Sequence, residues 1–444
     1  MTRNMHTLEQ LRSGELKGLK RLQLRCGLTE FPREIFELAD SLEILDLSGN
    51  QLSTLPDDLP RLHKLRVIFC SDNPFTELPE VLGQCAQLSM VGFKANRIRH
   101  VSPKALPPLL RWLILTDNVL TELPAEIGQC PHLQKLALAG NQLQALPSEL
   151  AHCTRLELIR LSANQLRAFP ASLLKLPRLT WLAYAGNPFC EAWAPASKNS
   201  PDMQHVPWQQ LQLQHQLGEG ASGVIHQALM HTAEGQQPVA VKRFKGAVTS
   251  DGLPDCEMAA CMHAGAHPHL ISAMGRVTEH PEHTQALVMP LVAPDFGNLA
   301  GPPSLASCTR DVYDPAKRLS GPAALRIARG MASATAHLHA RGVLHGDLYA
   351  HNILHNAQGD ALLGDFGAAS FFDVGDATHA PGLQNIEVRA LGCLLEELAE
   401  QCDAAPSQAL AQLAQQCLHD TPAKRPSLAE VCAALEPHHT PIAA

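Results

Sequence analysis

The sequence predicts a chain of two unlike parts: an α/β solenoid, then a second domain of mixed α+β texture. Three observations predict it. An asparagine returns at a fixed interval through the first half. A Pro-, Ser- and Ala-rich stretch interrupts that interval near residue 190. Beyond it, glycines, a lysine, aspartates and an asparagine stand in an order that the first half never shows. The chain has 444 residues, 45% hydrophobic and 18% charged, a balance that favours packed domains over disorder. A net charge of −8 with no basic tract argues against nucleic acid as a partner. The opening "MTRNMHTLEQLRSGELK" lacks the apolar core of a signal peptide, and runs such as "LLRWLIL" and "ALVMPLV" are far too short for a membrane span. Thirteen cysteines, an odd count without a CxxC pair, predict reduced thiols and a cytoplasmic location.

The first part follows from its period. Asn50, Asn73, Asn96, Asn118, Asn141, Asn164 and Asn187 recur every 23 residues, with one step of 22. "LEILDLSGNQLSTLP" (42–56) returns as "LALAGNQLQALP" (136–147) and "IRLSANQLRAFP" (159–170). One such unit cannot bury its leucines, whereas stacked units share a continuous core. The asparagine can satisfy buried backbone groups at each turn, so it is expected to be structural. Cys85, Cys130 and Cys153 occupy one place in successive units, which predicts an interior packing slot. The LxLxxNxLxxLP pattern resembles the leucine-rich repeat family over about residues 15–190. The opening unit, "LQLRCGLTEFP", is one residue short and has Cys26 in the asparagine slot, as a capping repeat would. The repeat domain is expected over 1–190 and a linker over 191–207.

Strand alternation predicts which side chains line the concave face. Ile44, Val67, Met90, Trp112, Lys135, Leu158 and Trp181 lie six residues before each asparagine and are mostly large and apolar. Such a strip predicts either a docked protein or peptide centred on Trp112 and Trp181, or cover by neighbouring strands or by the second domain.

In the second part, "LGEGASGVIHQA" (217–228) sets Gly218, Gly220 and Gly223 in a GxGxxG pattern, and "VAVKRF" (239–244) follows it. Glu257 comes fifteen residues after Lys242, on a segment with helical texture. "ALVMPLV" (286–292) reads as a buried strand. "HGDLYAHN" (345–352) and "LLGDFGAAS" (362–370) place Asp347, Asn352 and Asp365 at intervals of five and eighteen from Asp347. "EVRALGCLLEEL" (387–398) and "CLHDTPAKRPSLAEV" (417–431) close the domain.

Together these resemble the protein kinase family over about residues 208–440. The resemblance implies an α+β fold of two lobes and transfer of the γ-phosphate of Mg·ATP to serine or threonine hydroxyls of a protein. It implies catalytic roles for Asp347, Lys242 and Asn352, and Mg²⁺ ligation by Asn352 and Asp365. It implies that Gly218, Glu219, Gly220, Gly223, Ile225, Lys242, Glu257, Met289 and Val292 surround the nucleotide. His345 and Phe366 become packing residues, Glu387 stands where the family usually has aspartate, and Arg425 matches its closing arginine. An earlier "DFG" at 295–297 precedes the catalytic loop, so chain order argues against a metal role for it.

Three departures bear on function. Gly346 replaces the arginine that commonly reads an activation-loop phosphate, which argues against that switch. Tyr349 replaces the usual lysine beside the γ-phosphate, with His351 as the candidate substitute cation. Only 21 residues separate Asp365 from Glu387, the nearest string to "APE" is "APG" (380–382), and no glutamate partner for Arg425 is evident. "HGDLxxxN" also resembles small-molecule kinases of the aminoglycoside and choline kinase group. A pseudokinase scaffold is the alternative from another class.

Overall fold

The structure is a computed structural model that describes residues 5–193, 204–220, 222–246, 249, 251–402 and 406–436. By contacts the chain divides into two units, Met1–Leu176 with Asn187–Phe189 and Pro177–Gly186 with Cys190–Ala444.

The first unit opens with the short helix α1 (Leu8–Arg12), whose N-cap Thr7 and Gln10 form a reciprocal capping box. Seven three-residue strands follow: β1 (Arg21–Gln23), β2 (Ile44–Asp46), β3 (Val67–Phe69), β4 (Met90–Gly92), β5 (Trp112–Ile114), β6 (Lys135–Ala137) and β7 (Leu158–Arg160). They pair in parallel in chain order, each residue opposite its equivalent in the next unit. The strand centres, from Leu22 to Ile159, are fully buried, as the shared-core argument requires. Single 3₁₀ turns such as Glu80–Gln84 and Ala125–Gln129 return the chain between strands.

The asparagines do what the period predicted. Asn50 Oδ1 accepts from the Cys26 and Leu28 amides (both 3.0 Å), and its Nδ2 donates to Leu24 and Leu47 carbonyls (both 2.8 Å). Asn141 accepts from Leu120 N and donates to Leu115 O and Leu138 O. Each asparagine thus ties its own turn to the one before it and leaves few buried polar groups unmet. Cys85, Cys130 and Cys153 are buried in one interior slot, and burial raises their thiols to about 11, 11 and 12. Of the strip expected to meet a partner, Val67, Met90 and Leu158 are buried, and Ile44, Trp112 and Lys135 are half-buried. Lys135 Nζ lies 4.3 Å from the centroid of the Trp112 ring.

The second unit begins with Pro177–Gly186, which carries the strand β8 (Trp181–Ala183) of the last repeat. A six-stranded sheet follows. It comprises β9 (His205–Pro207), β10 (Leu211–Glu219), β11 (Gly223–Thr232), β12 (Gly235–Phe244), β13 (Gly275–Thr278) and β14 (Ala286–Pro290), in the order β10-β11-β12-β14-β13-β9. All pairs are antiparallel except β9 with β13. Val206, Ala228, Met230, Val239, Val241, Val277 and Val288 make its core, and α2 (Pro254–Ala264) carries Glu257. Residues 205–207, read from sequence as the end of a linker, are therefore a strand. Three residues are too few to show an alternating pattern, and the pairing partner lies 71 positions on.

The rest of the unit is mainly helical: α3 (Gly321–Ala340), α4 (Ala380–Gln401), α5 (Pro406–Cys417) and α6 (Leu428–Leu435). Ser320 caps α3 by accepting from the Ala323 amide, and Pro322 sits in its first turn, where no amide donor is needed. Short strands hold the loops between helices. β15 (Gly297–Asn298) pairs with β17 (Ile353–His355), which pairs with β18 (Ala361–Leu363). β16 (Val343–Leu344) pairs with β19 (Ser370–Phe371). The sheet and the helical part are the two lobes that the sequence implied.

Candidate active site

The glycines shape a hairpin. Gly218 and Glu219 end β10 opposite Ile225 and Val224, and Gly220 N donates to Gly223 O (2.9 Å). A Cβ on Gly223 would come within 2.5 Å of the Arg243 carbonyl, so β12 requires glycine there. Apart from the flanking residues, no atom lies within 4 Å of the Cβ positions of Gly218 and Gly220, which leaves space for a ligand beside the hairpin. Lys245, which the sequence reading passed over, forms an ion pair with Glu219 and donates to Gly220 O (3.3 Å).

Beneath the hairpin, β12 carries Lys242 opposite Ile225 on one side and Leu287 on the other. Its ammonium pairs with Glu257 and reaches Asp365 Oδ1 at 3.3 Å. Both Lys242 and Glu257 are buried, whereas the Asp365 carboxylate is 47% exposed. Burial opposes the charge on Lys242, but the two carboxylates outweigh it and raise its pKa. Burial pushes Glu257 up to about 7; Lys242 pulls it down and Asp365 pushes it further up. Met289 pairs with Ala240 at the end of β14, and Val292 follows that strand, both half-buried.

Asp347 and Asn352 lie between β16 and β17. Asn352 Nδ2 donates to Asp347 Oδ2 (2.9 Å) and to the Asp347 carbonyl (3.0 Å), which closes the loop. Gly364 N donates to Asn352 O (3.0 Å), and His345 hydrogen-bonds Gly364 O (3.1 Å), so the loop is tied to the residue before Asp365. His345 also packs on Phe366, with ring centroids 5.2 Å apart. Asp365 holds a left-handed backbone, φ 58°, and its Oδ1 accepts from Gly367 N (3.3 Å). The early "DFG" is an exposed turn leading into β15.

The departures also find their reasons. Gly346 has φ +73°, and an added Cβ would meet Ala368 O at 2.5 Å and Leu182 O at 2.6 Å. An arginine cannot stand there. Glu387, fully buried on α4, accepts from Gly346 N (2.6 Å) and pairs with His339 Nε2 (2.7 Å). The sequence reading matched Glu387 to the family's aspartate but did not find its bond to the loop. His351 Nδ1 hydrogen-bonds Asp311 Oδ1 (2.7 Å), and its amide donates to Asp311 Oδ2 (2.9 Å). Burial works against the His351 charge, yet Asp311, with Asp347 and Asp365 beyond it, raises its pKa. No sequence signal pointed to Asp311, forty residues earlier in a Gly/Pro-rich loop. Among the described residues Arg425 forms no ion pair with a carboxylate. It donates instead to Asn385 O (2.9 Å), His419 O (3.0 Å) and Pro177 O (2.7 Å).

One expectation needs correction. Trp181 was to face a partner from the concave strip, but it is only 2% exposed. Its indole stacks on Tyr349 (centroids 4.1 Å apart, 8° between planes), and its Nε1 donates to Leu348 O (3.1 Å). Strand alternation fixed the side of the strand and could not show what lay over it.

The donor set fits Mg²⁺, a hard cation that takes oxygen ligands and keeps several waters. Asp365 offers a half-exposed carboxylate, and the bonds from Asn352 Nδ2 leave the amide oxygen uncommitted.

Comparison with known proteins agrees with this geometry. Residues 211–397 match the protein tyrosine and serine/threonine kinase family, and residues 131–189 and 41–62 match leucine-rich repeat families. The chain is 30% identical over 174 residues to CBL-interacting protein kinase 22 of Oryza sativa subsp. japonica, covering 35% of this chain and 36% of that protein. It is 25% identical over 264 residues to a probable serine/threonine-protein kinase of Dictyostelium discoideum, 50% of this chain and 15% of that one. It is 34% identical over 89 residues to the human PH domain leucine-rich repeat-containing protein phosphatase 1, 20% of this chain and 5% of that one. The chain thus spans about a third of the rice kinase and less of the other two. A hairpin of open glycines, a buried lysine–glutamate pair and a closed Asp–Asn loop stand together in the stretch that the kinase family matches, so the chain joins leucine-rich repeats to a C-terminal protein kinase domain.

Proposed function

We propose that this protein is an ATP-dependent serine/threonine protein kinase whose repeats recruit its substrate. The observation that carries the reading is the joint presence of Lys242 between Glu257 and Asp365 and of Asn352 on Asp347. A lysine clamped in that way stays charged and fixed, as phosphate positioning requires. Open glycines let backbone amides reach phosphate oxygens. Met289 and Val292 stand at the strand end where an adenine ring would pack.

The acceptor hydroxyl oxygen attacks the γ-phosphorus. Its proton passes to an Asp347 carboxylate oxygen, the bond to the β,γ-bridging oxygen breaks, and ADP leaves. Asn352 orients Asp347 through its amide hydrogen bond. Mg²⁺ held by Asn352 and Asp365 would supply charge neutralisation on the phosphate oxygens. His351, whose positive charge is favoured by Asp311 against the cost of burial, is placed to take the part of the missing lysine. The repeats raise the local concentration of a bound protein near the cleft. Trp112 remains the candidate docking residue there.

Thirteen cysteines, all free, suit a reducing compartment, and we place the protein in the cytoplasm. Among the described residues no helix is long and apolar enough to cross a membrane.

The test is phosphate transfer by the full chain with γ-labelled ATP and Mg²⁺, beside Asp347→Asn. Label on serine or threonine that vanishes in the variant supports the reading. Label only on choline- or aminoglycoside-type acceptors would move the enzyme to small molecules. Nucleotide binding without transfer to either would leave a scaffold.

A further inference from the structure

The last repeat differs from the others at one slot. The interior position filled by Leu47, Cys70, Phe93, Leu115, Leu138 and Leu161 in earlier units holds Tyr184. A tyrosine buried in an apolar slot must place its hydroxyl. Tyr184 is fully buried, and its hydroxyl donates to Phe371 O (3.1 Å), just beyond Asp365. Its amide donates to Ser370 Oγ (3.1 Å). In earlier units the equivalent amide reaches the next strand, as Leu115 N does to Ala137 O (2.8 Å) and Leu138 N to Arg160 O (2.9 Å). Ser370 therefore satisfies a donor that would otherwise be an open strand edge.

The rest of the segment makes a line of such contacts. Trp181 stacks on Tyr349 and donates to Leu348 O, two residues and one residue past the candidate base. Leu182 O sits where a side chain on Gly346 would have to go. Arg389 Nε donates to Arg178 O (3.3 Å), and Arg425 Nη2 to Pro177 O (2.7 Å). Ten residues thus touch both sides of Asp347, the strand after Asp365, helix α4 and the closing arginine. These are the parts left short by the missing arginine at 346, the abbreviated stretch before α4 and the missing glutamate for Arg425.

We propose that Pro177–Gly186 is a built-in strap that holds the catalytic loop in working order, with Trp181 and Tyr184 as positioning residues. The loop is set by a permanent contact within the chain and needs no phosphate to order it. The proposal rests on the phosphotransfer reading above for its catalytic consequence, but the order of the loop can be measured without any turnover.

The experiment uses the full chain, wild type, Trp181→Ala and Trp181→Phe, with three readouts: amide hydrogen exchange over 346–352, affinity for Mg·ATP, and steady-state kinetics. Trp181→Ala is expected to speed exchange in 346–352 by about 10-fold or more while the six-stranded sheet keeps its protection. Its kcat is expected to fall ~100-fold, the scale of a small misplacement of a catalytic group, with Mg·ATP affinity unchanged within ~2-fold. Trp181→Phe keeps a ring on Tyr349 and should recover most of that loss. Unchanged exchange over 346–352 in a folded Trp181→Ala protein would overturn the proposal, as would a parallel loss of kcat and nucleotide affinity. If Trp181→Ala fails to fold, Trp181→Leu, which removes both the ring from Tyr349 and the indole donor to Leu348 O, carries the test, and exchange over 346–352 at the wild-type rate in it would overturn the strap. If the wild type transfers no phosphate at all, the kinase reading fails, and the exchange data alone decide whether the strap orders the loop.

Discussion

The repeats and the active site both depend on asparagines, and they use them oppositely. In the repeats, Asn50, Asn141 and their equivalents repeat one scheme, in which Oδ1 accepts from an amide and Nδ2 donates to a carbonyl of the unit before. In the candidate site, Asn352 makes its bonds once, to the carboxylate and the carbonyl of a single residue, Asp347, in a loop that occurs nowhere else. The repeated asparagine supplies stability in equal portions. The single one supplies an orientation whose loss would hardly register in the melting of the chain. Substitutions in the two regions should therefore separate rate from stability.

The largest effect is expected at Asp347. On the proposed mechanism Asp347→Asn removes the proton acceptor, a contribution of about 10²–10⁴-fold in rate, while its bond from Asn352 can be kept by an amide oxygen. Transfer should fall by that factor with thermal stability near wild type. A variant that melts early would place Asp347 with the structural asparagines instead. Asn141→Ala is the converse. It strands the Leu120 amide, while Leu115 O and Leu138 O keep their bonds from Asn118 and Asn164, so the loss should be about 1–3 kcal/mol, the cost of one unmet buried donor. Denaturant unfolding of the full chain measures it, and kcat of the variant below its melting range should be unchanged.

The same contrast explains what could be read beforehand. Seven asparagines on one period announce a stack, and the stack then dictates parallel strands in register, so nearly all of the first unit was legible. The kinase half was legible through spacing: Lys242, Glu257, Asp347, Asn352 and Asp365 are far apart in sequence, and only a matching order made them one site. What escaped has no period and no spacing. Asp311 meets His351 from an irregular loop, Pro177 O meets Arg425 across most of the unit, and Trp181 leaves its strip to cover Tyr349. Such contacts are set by packing between segments that carry no common pattern. The Tyr184 hydroxyl was the one available hint, a polar atom in a slot of apolar residues.

Glu387 lies between the extremes, since it is structural in its burial and functional in its reach to Gly346. Burial would raise its pKa, but the His339 bond and charge, the His345 charge and the Gly346 amide lower it below the ordinary 4.5. A lowered carboxyl contributes stability that is present above 4.5 and lost as pH falls through the folded value. Glu387→Gln should cost about 2 kcal/mol near neutral pH, as for a hydrogen-bonded buried charge, and should flatten the acid limb of the stability curve. Stability profiles from pH 7 downward would show it. An acid limb of the same depth in the variant would assign that limb to other carboxylates and leave Glu387 a neutral spacer.

The smallest effect separates Trp112 from Trp181, two tryptophans that the sequence could not distinguish. Trp181 is enclosed by the catalytic loop, whereas Trp112 is half-buried with an ammonium over its face. A cation over an indole at a partly exposed site contributes about 0.5–1 kcal/mol. Single substitutions would blur this with whatever else each side chain touches. A double-mutant cycle of Trp112→Ala and Lys135→Ala, read by denaturant unfolding, cancels those other contacts and leaves the coupling alone. Coupling of about 0.5 kcal/mol that weakens as salt is raised would show the pair to be held by charge on the open face of the repeats. Coupling near zero would mean that Lys135 only rests there. The indole would then be free of any internal claim, and the case for a partner at Trp112 would be stronger than the case ever was at Trp181.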